Sequence, residues 1–202
     1  MQMNESYELL RGKKIGFALT GSFCTLEQTM QTMRELTELG AELMPIVSFN
    51  VRELDTKFGP AEKWHRQIVE LCGREPIDSI SKAEPIGPQS LLDILLVLPC
   101  SGNTLGKLAN GITDTPVCMA VKAHLRNDKP VVIGVSTNDG LGVSAANIGR
   151  LMNNQNIFMV PFGQDAPHKK KNSLVCDFAQ VAEALVEALQ GRQLQPVLRE
   201  FK

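Results

Sequence analysis

Small polar residues follow the first two apolar segments of the sequence, where they could bind an anion. Gly21 and Ser22 come after the apolar run at 15–20 and precede a helical pattern. The glycine permits a tight turn, and backbone N–H groups at a helix start attract a phosphate. Ser48 follows the second apolar run, and adjacent parallel strands would deliver both ends side by side. A helix cap and a solvated loop serine explain the same residues equally well.

The segment PCSGNTLGKLANGITD, residues 99–114, combines a polar turn with a helix that carries small residues. Ser101, Asn103 and Thr104 form the turn. Gly106 and Ala109 let the helix approach the sheet or a flat ligand closely. An asparagine amide both donates and accepts hydrogen bonds, so Asn103 is suited to the edge of a heterocycle or to a carboxylate. The simpler alternative is that Asn103 caps the helix.

Two further polar segments are candidates for contact with a substrate. Ser-Thr-Asn at 136–138 precedes Gly140 and Gly142, which makes a polar and flexible loop. The segment 161–174 contains His168 followed by three lysines, and it is predicted to be a mobile loop. Its cations could close over an anionic diacid, although a solvated loop is the more ordinary interpretation. A plain connection explains the first segment nearly as well.

Several familiar ligand motifs are absent from the sequence. There is no GxGxxG dinucleotide fingerprint, and Gly12-Lys13-Lys14 precedes the first strand instead of following it, so it is not a Walker A loop. The five cysteines include no CxxC pair and the three histidines are scattered, so we expect neither a disulfide framework nor a metal site. No pattern identifies a catalytic acid, base or nucleophile.

The composition favours a cytoplasmic protein with a single domain that spans residues 1–202. Lys and Arg number 21 and Asp and Glu number 22, and the net charge of -1 argues against a nucleic-acid surface. The longest apolar run, at 94–99, is too short to cross a membrane, and the N-terminus lacks the apolar core of a signal peptide. An odd number of cysteines is consistent with reduced thiols.

Apolar runs alternate with amphipathic segments, which predicts a mainly parallel α/β sheet with crossover helices. Thr25 and Gln28 have capping-box spacing at the start of the first helix, and Gly40 is placed to end it. The segment 73–90 is predicted to be mostly loop, with at most one short strand. Strands are predicted at 15–20, 43–47, 91–98, 130–135 and 157–160, and helices at 26–39, 61–71, 104–111, 117–126, 144–153 and 177–190. Ligands of such sheets bind at the carboxyl ends of the strands, which is where the polar residues lie.

PCSGNTLGKLANGITD resembles the signature P-[AS]-S-x-N-T-x-x-K-x-A-x-G-I-x-D of the flavoprotein family, which contains flavin-dependent cysteine decarboxylases and flavin prenyltransferases. The resemblance extends over roughly 13–190 and implies a Rossmann/flavodoxin-like three-layer α/β/α sandwich that binds FMN. It implies that Gly21 and Ser22 hold the FMN phosphate with help from Ser48. Further residues implied to line the isoalloxazine or substrate end are Ser101, Asn103 and Thr104, and Asn138 matches the asparagine of the family's substrate loop.

The chain departs from the decarboxylases at three places. No histidine occurs at 83–88, shortly before the central strand, where the decarboxylases carry a catalytic one. Cys100 stands where the signature usually has alanine, and Ser-Thr-Asn at 136–138 replaces the family's P-x-M-N loop. Cysteine decarboxylation is therefore not the expected reaction.

A narrower resemblance, from LRGKKIGFALTGSFCTLE through LPCSGNTLGKLANGITDTPVCMAVKAHLRNDKPVV, is to a branch of the family whose members belong to a dipicolinate-forming complex. It implies the oxidation of a dihydrodipicolinate-type diacid in the mother cell of a sporulating bacterium. It also implies a dehydrogenase-like partner subunit that supplies the NAD(P) site, and a homo-oligomer. The loops at 136–142 and 168–171 are the expected contact with that partner. Two alternatives stay open, an independent FMN-dependent decarboxylase or prenyltransferase and a non-catalytic stabilising partner.

Overall fold

The structure, a computed structural model, describes residues 5–200 of the chain. The strands are β1 Lys14–Leu19, β2 Glu42–Val47, β3 Ile94–Cys100, β4 Val131–Thr137, β5 Ile157–Met159, β6 Phe162–Gly163 and β7 Leu174–Cys176. The helices are α1 Leu26–Glu38, α2 Phe49–Glu53, α3 Ala61–Cys72, α4 Ile80–Ala83, α5 Gly102–Ala109, α6 Pro116–Leu125, α7 Ser144–Met152 and α8 Val181–Leu189. Short 3-10 turns occupy Glu5–Leu10, Phe23–Thr25, Glu84–Ile86 and Phe178–Gln180.

Five parallel strands in the order β2-β1-β3-β4-β5 form the body of the sheet. Beyond them, β7 pairs antiparallel with the last residues of β4, and β6 pairs antiparallel with β7. The parallel order is the one found in flavodoxin-like folds, so the α/β prediction is confirmed. Strand order reverses between β1 and β3, and such folds bind ligands at the carboxyl ends of the strands beside that point.

The sheet is buried because its central strands are apolar on both faces. Every residue of β3 is buried, from Ile94 to Cys100, as expected for a parallel strand covered by helices on both sides. Helix α1 presents Met30, Met33 and Leu36 at helical spacing to the same interior. A single cluster of buried apolar side chains runs through the described residues from Leu10 to Leu194.

Two local predictions are corrected, and one element lies where none was predicted. Strand β3 begins at Ile94 instead of 91, and the Asp93 carboxylate before it accepts a hydrogen bond from the backbone N–H of Lys14 at 2.9 Å. The segment 49–53 is a short helix, α2. Within 73–90 the chain forms α4 and a 3-10 turn, and its short-strand contact is an isolated bridge from Ile77 to Ile46.

The segment predicted as a loop at 161–174 contains β6, runs into β7, and returns to the end of β4. We call residues 162–176 the arm. Strands of two and three residues are too short to produce a period in the sequence, so only the pairing with β4 reveals them. Among residues 5–200, no helix combines the length and the apolar composition that a membrane crossing requires.

Candidate functional site

Thr20 joins the carboxyl ends of β1 and β3. Its hydroxyl donates to the carbonyl of Pro99 at 2.7 Å and accepts from the backbone N–H of Ser101 at 2.9 Å. The side chain is buried, with 1% exposed, so it forms a fixed link. It places the turn at Gly21 beside the turn that begins at Ser101. Sequence reasoning treated Thr20 only as the last residue of a strand.

Ser22 connects the first turn to the end of β4. Its hydroxyl donates to the carbonyl of Ser136 at 2.9 Å and lies 2.8 Å from the Ser136 hydroxyl. The Thr25 hydroxyl lies 3.2 Å from the same Ser136 oxygen and donates to the carbonyl of Ser22. The predicted capping box at Thr25 and Gln28 is therefore wrong, because the Thr25 hydroxyl is engaged by these contacts instead of capping α1.

Gly21 lies against the polar segment that follows β2. A Cβ added to Gly21 would lie 3.2 Å from both Cβ and Nδ2 of Asn50. Ser48 caps α2 by accepting a hydrogen bond from the N–H of Val51 at 3.4 Å, and only 9% of it is exposed. Ser48 and Gly21 thus lie at the same edge of the sheet, as predicted. Asn50 was not predicted, although it follows the second strand just as Ser48 does.

The first turn of α5 is open at its N-terminus. Ser101 is in the N-cap position, but its hydroxyl donates to the Thr104 hydroxyl at 3.3 Å and makes no cap hydrogen bond. Thr104 is buried, with 6% exposed, whereas Asn103 is exposed. The backbone N–H groups of this turn and the Asn103 amide can therefore meet a ligand, while the Thr104 hydroxyl is held by Ser101.

Gly102 is where the β4–α7 loop packs against the start of α5. An added Cβ would lie 2.7 Å from the Thr137 hydroxyl and the Asp139 carboxylate, and 3.0 Å from the Ser144 hydroxyl. Asp139 accepts hydrogen bonds from Thr137 and Ser144, which holds the loop in this position. Only glycine fits there, because any side chain would push the loop away.

The second half of the motif holds the C-terminal end of α5. Lys107 Nζ lies 2.7 Å and 2.9 Å from the two carboxylate oxygens of Asp114. Gly111 has a φ of 68°, and the N–H of Ile112 donates to the carbonyl of Lys107 at 2.9 Å, as in a Schellman helix end. These contacts fix the C-terminal end of the helix.

An open pocket of about 300 Å³ lies between the turn that follows β1, the end of β4 and the arm. Asn138 lines it, and its amide oxygen is 3.5 Å from the Ser173 hydroxyl of the arm. The lining residues are Ser22, Cys24, Thr25, Gln28, Ser136, Thr137, Asn138, Asp165, Lys170, Ser173 and Val175. Of the predicted site residues, Ser22 and Asn138 line this pocket. The others follow the carboxyl ends of β1, β2 and β3, outside the pocket lining: Gly21, Ser48, Ser101, Asn103 and Thr104.

Asp165 and Lys170 form an ion pair on the arm at the edge of the pocket. Lys170 Nζ lies 3.0 Å from Asp165 Oδ2. Burial raises the pKa of Asp165, but hydrogen bonds from Ser173 and Lys170 outweigh it, and the pKa lies below its usual value. The hydrogen bond to Asp165 raises the pKa of Lys170. Both groups are therefore charged at neutral pH. No pattern in the sequence identified them as a pair.

A profile of the family described as Flavoprotein matches residues 3–191. This chain belongs to the Flavoprotein family. The motif and the sheet order described above are thus those of a family member, as the sequence resemblance predicted.

Two relatives match nearly the whole chain. It is 50% identical over 191 residues to the B subunit of dipicolinate synthase from Bacillus subtilis (strain 168), covering 95% of this chain and 96% of that one. The crystal structure of the dipicolinate synthase B subunit from Bacillus halodurans C superposes with a TM-score of 0.87 at 48% identity, covering 95% of this chain and 98% of that one. The match to Burkholderia xenovorans DmrB in complex with FMN has a TM-score of 0.65 at 18% identity, covering 88% and 96%, and shows the shared fold.

Proposed function

We propose that this chain is the B subunit of a dipicolinate synthase and that it acts with a second, dehydrogenase-like polypeptide, which we call the dehydrogenase partner. The observation that carries this proposal is the 50% identity to the Bacillus subtilis protein over nearly the full length of both chains. The reaction removes two electrons and two protons from a dihydrodipicolinate-type diacid and yields pyridine-2,6-dicarboxylate. NAD(P) receives a hydride in this proposal, and its site lies on the dehydrogenase partner because this sequence has no dinucleotide fingerprint.

FMN is the proposed cofactor of this chain, and the residues that follow the carboxyl ends of β1, β2 and β3 fit it. The backbone of Gly21 packs closely against Asn50, the N-terminus of α5 is uncapped, and Asn103 is exposed. These groups offer hydrogen bonds to a phosphate or to the polar edge of a flavin ring. Bound FMN would supply a two-electron carrier. Gly21, Ser22 and Ser48 are proposed for its phosphate end, and Ser101, Asn103 and Thr104 for its ring end.

Substrate binding is proposed for Asn103, which is exposed at the start of α5, and for Asn138, which lines the pocket beside the arm. Both amides can donate to a carboxylate. The contact of Asn138 with Ser173 brings the arm over this position. Substrate would thus lie between the sheet ends and the arm.

The dehydrogenase partner is proposed to contact the β4–α7 loop and the arm. Leu141 and Val143 in that loop are 51% and 82% exposed, which is typical of an apolar surface that a partner covers. The loop and the arm are joined by a hydrogen bond from the N–H of Leu141 to the carbonyl of Asn172 at 2.9 Å. We also propose a cytoplasmic location in a sporulating mother cell and a homo-oligomer with one domain per chain, the latter supported by the single cluster of buried side chains.

A coupled assay tests the function. This chain and the dehydrogenase partner are purified and assayed alone and mixed, with substrate and NAD(P), and dipicolinate is measured by its ultraviolet absorbance. We expect turnover only from the mixture. Full turnover by this chain alone would contradict the division of labour, and full turnover by the dehydrogenase partner alone would leave this chain a stabilising role.

An FMN titration tests the cofactor. We expect the protein to quench FMN fluorescence and Gly21→Val to abolish that quenching, because the new side chain would collide with Asn50. Gly149→Ala is the matched control, since a Cβ there has no neighbour within 4 Å. No FMN binding by the unaltered protein would overturn the assignment.

A further inference from the structure

We propose that Lys170 binds one carboxylate of a small dicarboxylate substrate, and that Asp165 positions Lys170 for this role. The inference rests on the proposed function for the identity of the substrate. The residues that line the pocket beneath the arm support it. No residue type or spacing in the sequence separates Lys170 from its neighbours Lys169 and Lys171.

The pocket has a size that suits a small anion. Its volume of about 300 Å³ lies at the lower end of small-molecule sites, whose range is roughly 300–1,000 Å³. Its base is made of three hydroxyls, since those of Ser22 and Thr25 lie 2.8 Å and 3.2 Å from the hydroxyl of Ser136. The hydroxyls of Ser22 and Thr25 donate to the carbonyls of Ser136 and Ser22, so each must leave its carbonyl in order to donate to a carboxylate.

Lys170 is the cationic side chain among the residues that line the pocket. Its ammonium group carries three hydrogens, and the ion pair with Asp165 at 3.0 Å uses one of them. The ammonium group therefore has hydrogens left for a ligand.

Asp165 holds the cation in place from the other side. Ser173, which is 1% exposed, anchors this part of the arm: its N–H donates to the carbonyl of Lys170 at 3.0 Å and its hydroxyl lies 3.5 Å from Asn138. The negative charge of Asp165 is balanced by Lys170 and by a hydrogen bond from Ser173. Half of the Lys170 side chain is exposed, so a substrate carboxylate can reach the cation that Asp165 holds.

Calorimetric titration of the purified chain with dipicolinate at low salt tests the proposal. Lys170→Met is expected to weaken binding about tenfold, the loss typical of one charge-assisted hydrogen bond, and Lys170→Arg to restore most of it. Lys82→Met is the matched control, because Lys82 forms a similar exposed pair with Asp78 at 2.8 Å, far along the chain from the arm. Raising the salt concentration should weaken binding to the unaltered chain and have less effect on Lys170→Met.

Two further measurements separate this inference from the others. In the mixture with the dehydrogenase partner, Lys170→Met should raise KM for the diacid about tenfold with kcat changed less than about twofold, because uniform binding is lost. FMN affinity should be unchanged, and a loss of FMN affinity would assign Lys170 to the cofactor phosphate and overturn the inference. If Lys170→Met binds dipicolinate as the unaltered chain does, and the mixture of the unaltered chain with the dehydrogenase partner is active, the role of Lys170 is contradicted and the proposed function is not. An inactive mixture of the two unaltered proteins would instead contradict the proposed function.

Discussion

At the scale of single residues, Asn103 separates ligand binding from folding. Its side chain is exposed at the open first turn of α5. Asn103→Ala should therefore change the free energy of unfolding by less than about 0.5 kcal/mol. It should weaken FMN or diacid binding by about 1–3 kcal/mol, because the ligand's polar groups lose their partner. Asn103→Asp should be worse for a diacid because like charges repel. Unchanged ligand affinity in both variants, measured by titration, would reduce Asn103 to a helix residue.

His124 makes the stability of the molecule depend on pH. It is 1% exposed in α6, and its Nε2 donates to the carbonyl of Pro130 at 3.1 Å. Burial lowers the pKa of His124 from 6.5 to about 4, despite the hydrogen bond to Pro130, which raises it. Between these pH values the unfolded chain binds a proton that the folded chain does not bind. Stability is therefore lost as the pH falls from 6.5 to 4, by about 3 kcal/mol for this residue.

Urea unfolding at pH 7 and at about pH 4.5, within the window set by the lowered pKa of His124, measures this dependence. His124→Gln should reduce the difference between the two free energies of unfolding, because an amide does not titrate. His65→Gln provides the control, since His65 is exposed and pairs with Glu75 at 2.9 Å. An equal pH dependence in His124→Gln and the unaltered protein would show that His124 does not control it.

At the scale of elements, the arm depends on close packing of the β4–α7 loop against β7. A Cβ added to Gly140 would lie 2.6 Å to 2.7 Å from side-chain atoms of Leu174, which is only 6% exposed. Gly140→Ala should therefore destabilise the protein by about 1–3 kcal/mol and loosen the arm. Limited digestion with trypsin should then cut faster at the lysines of 169–171.

Gly142→Ala is the control for the arm, because its Cβ would make an ordinary contact of 3.4 Å with the carbonyl of Asp139. It should be digested at the rate of the unaltered protein. Equal digestion of the Gly140→Ala variant would mean that the loop does not hold the arm.

At the scale of the whole molecule, one continuous core should give one unfolding transition. Leu96 is fully buried in the middle of β3, and Leu96→Ala should reduce the free energy of unfolding by about 2–5 kcal/mol. Circular dichroism and Trp64 fluorescence should shift together, because both report on the same cluster. Leu54→Ala, at a side chain that is 46% exposed, should change little. Two separated transitions would contradict a single domain.

Local patterns were sufficient where one element is long and buried. The apolar run of β3 and the spacing of Met30, Met33 and Leu36 in α1 predicted both elements, because burial imposes its period on the sequence directly. The same patterns missed β6 and β7, which are too short to show a period. The position of Gly40 as a helix end was also readable, and its φ of 85° confirms why glycine is there.

The sequence by itself determined the α/β class, the strand ends at which polar residues gather, and the family through the motif at 99–114. Only the tertiary structure decided which of those residues meet. Ser22 contacts Ser136 across 114 positions of sequence, and Asp165 and Lys170 reach the pocket because β7 pairs with the end of β4. A serine hydroxyl has many possible local partners of similar energy, so its choice depends on packing that no short segment contains.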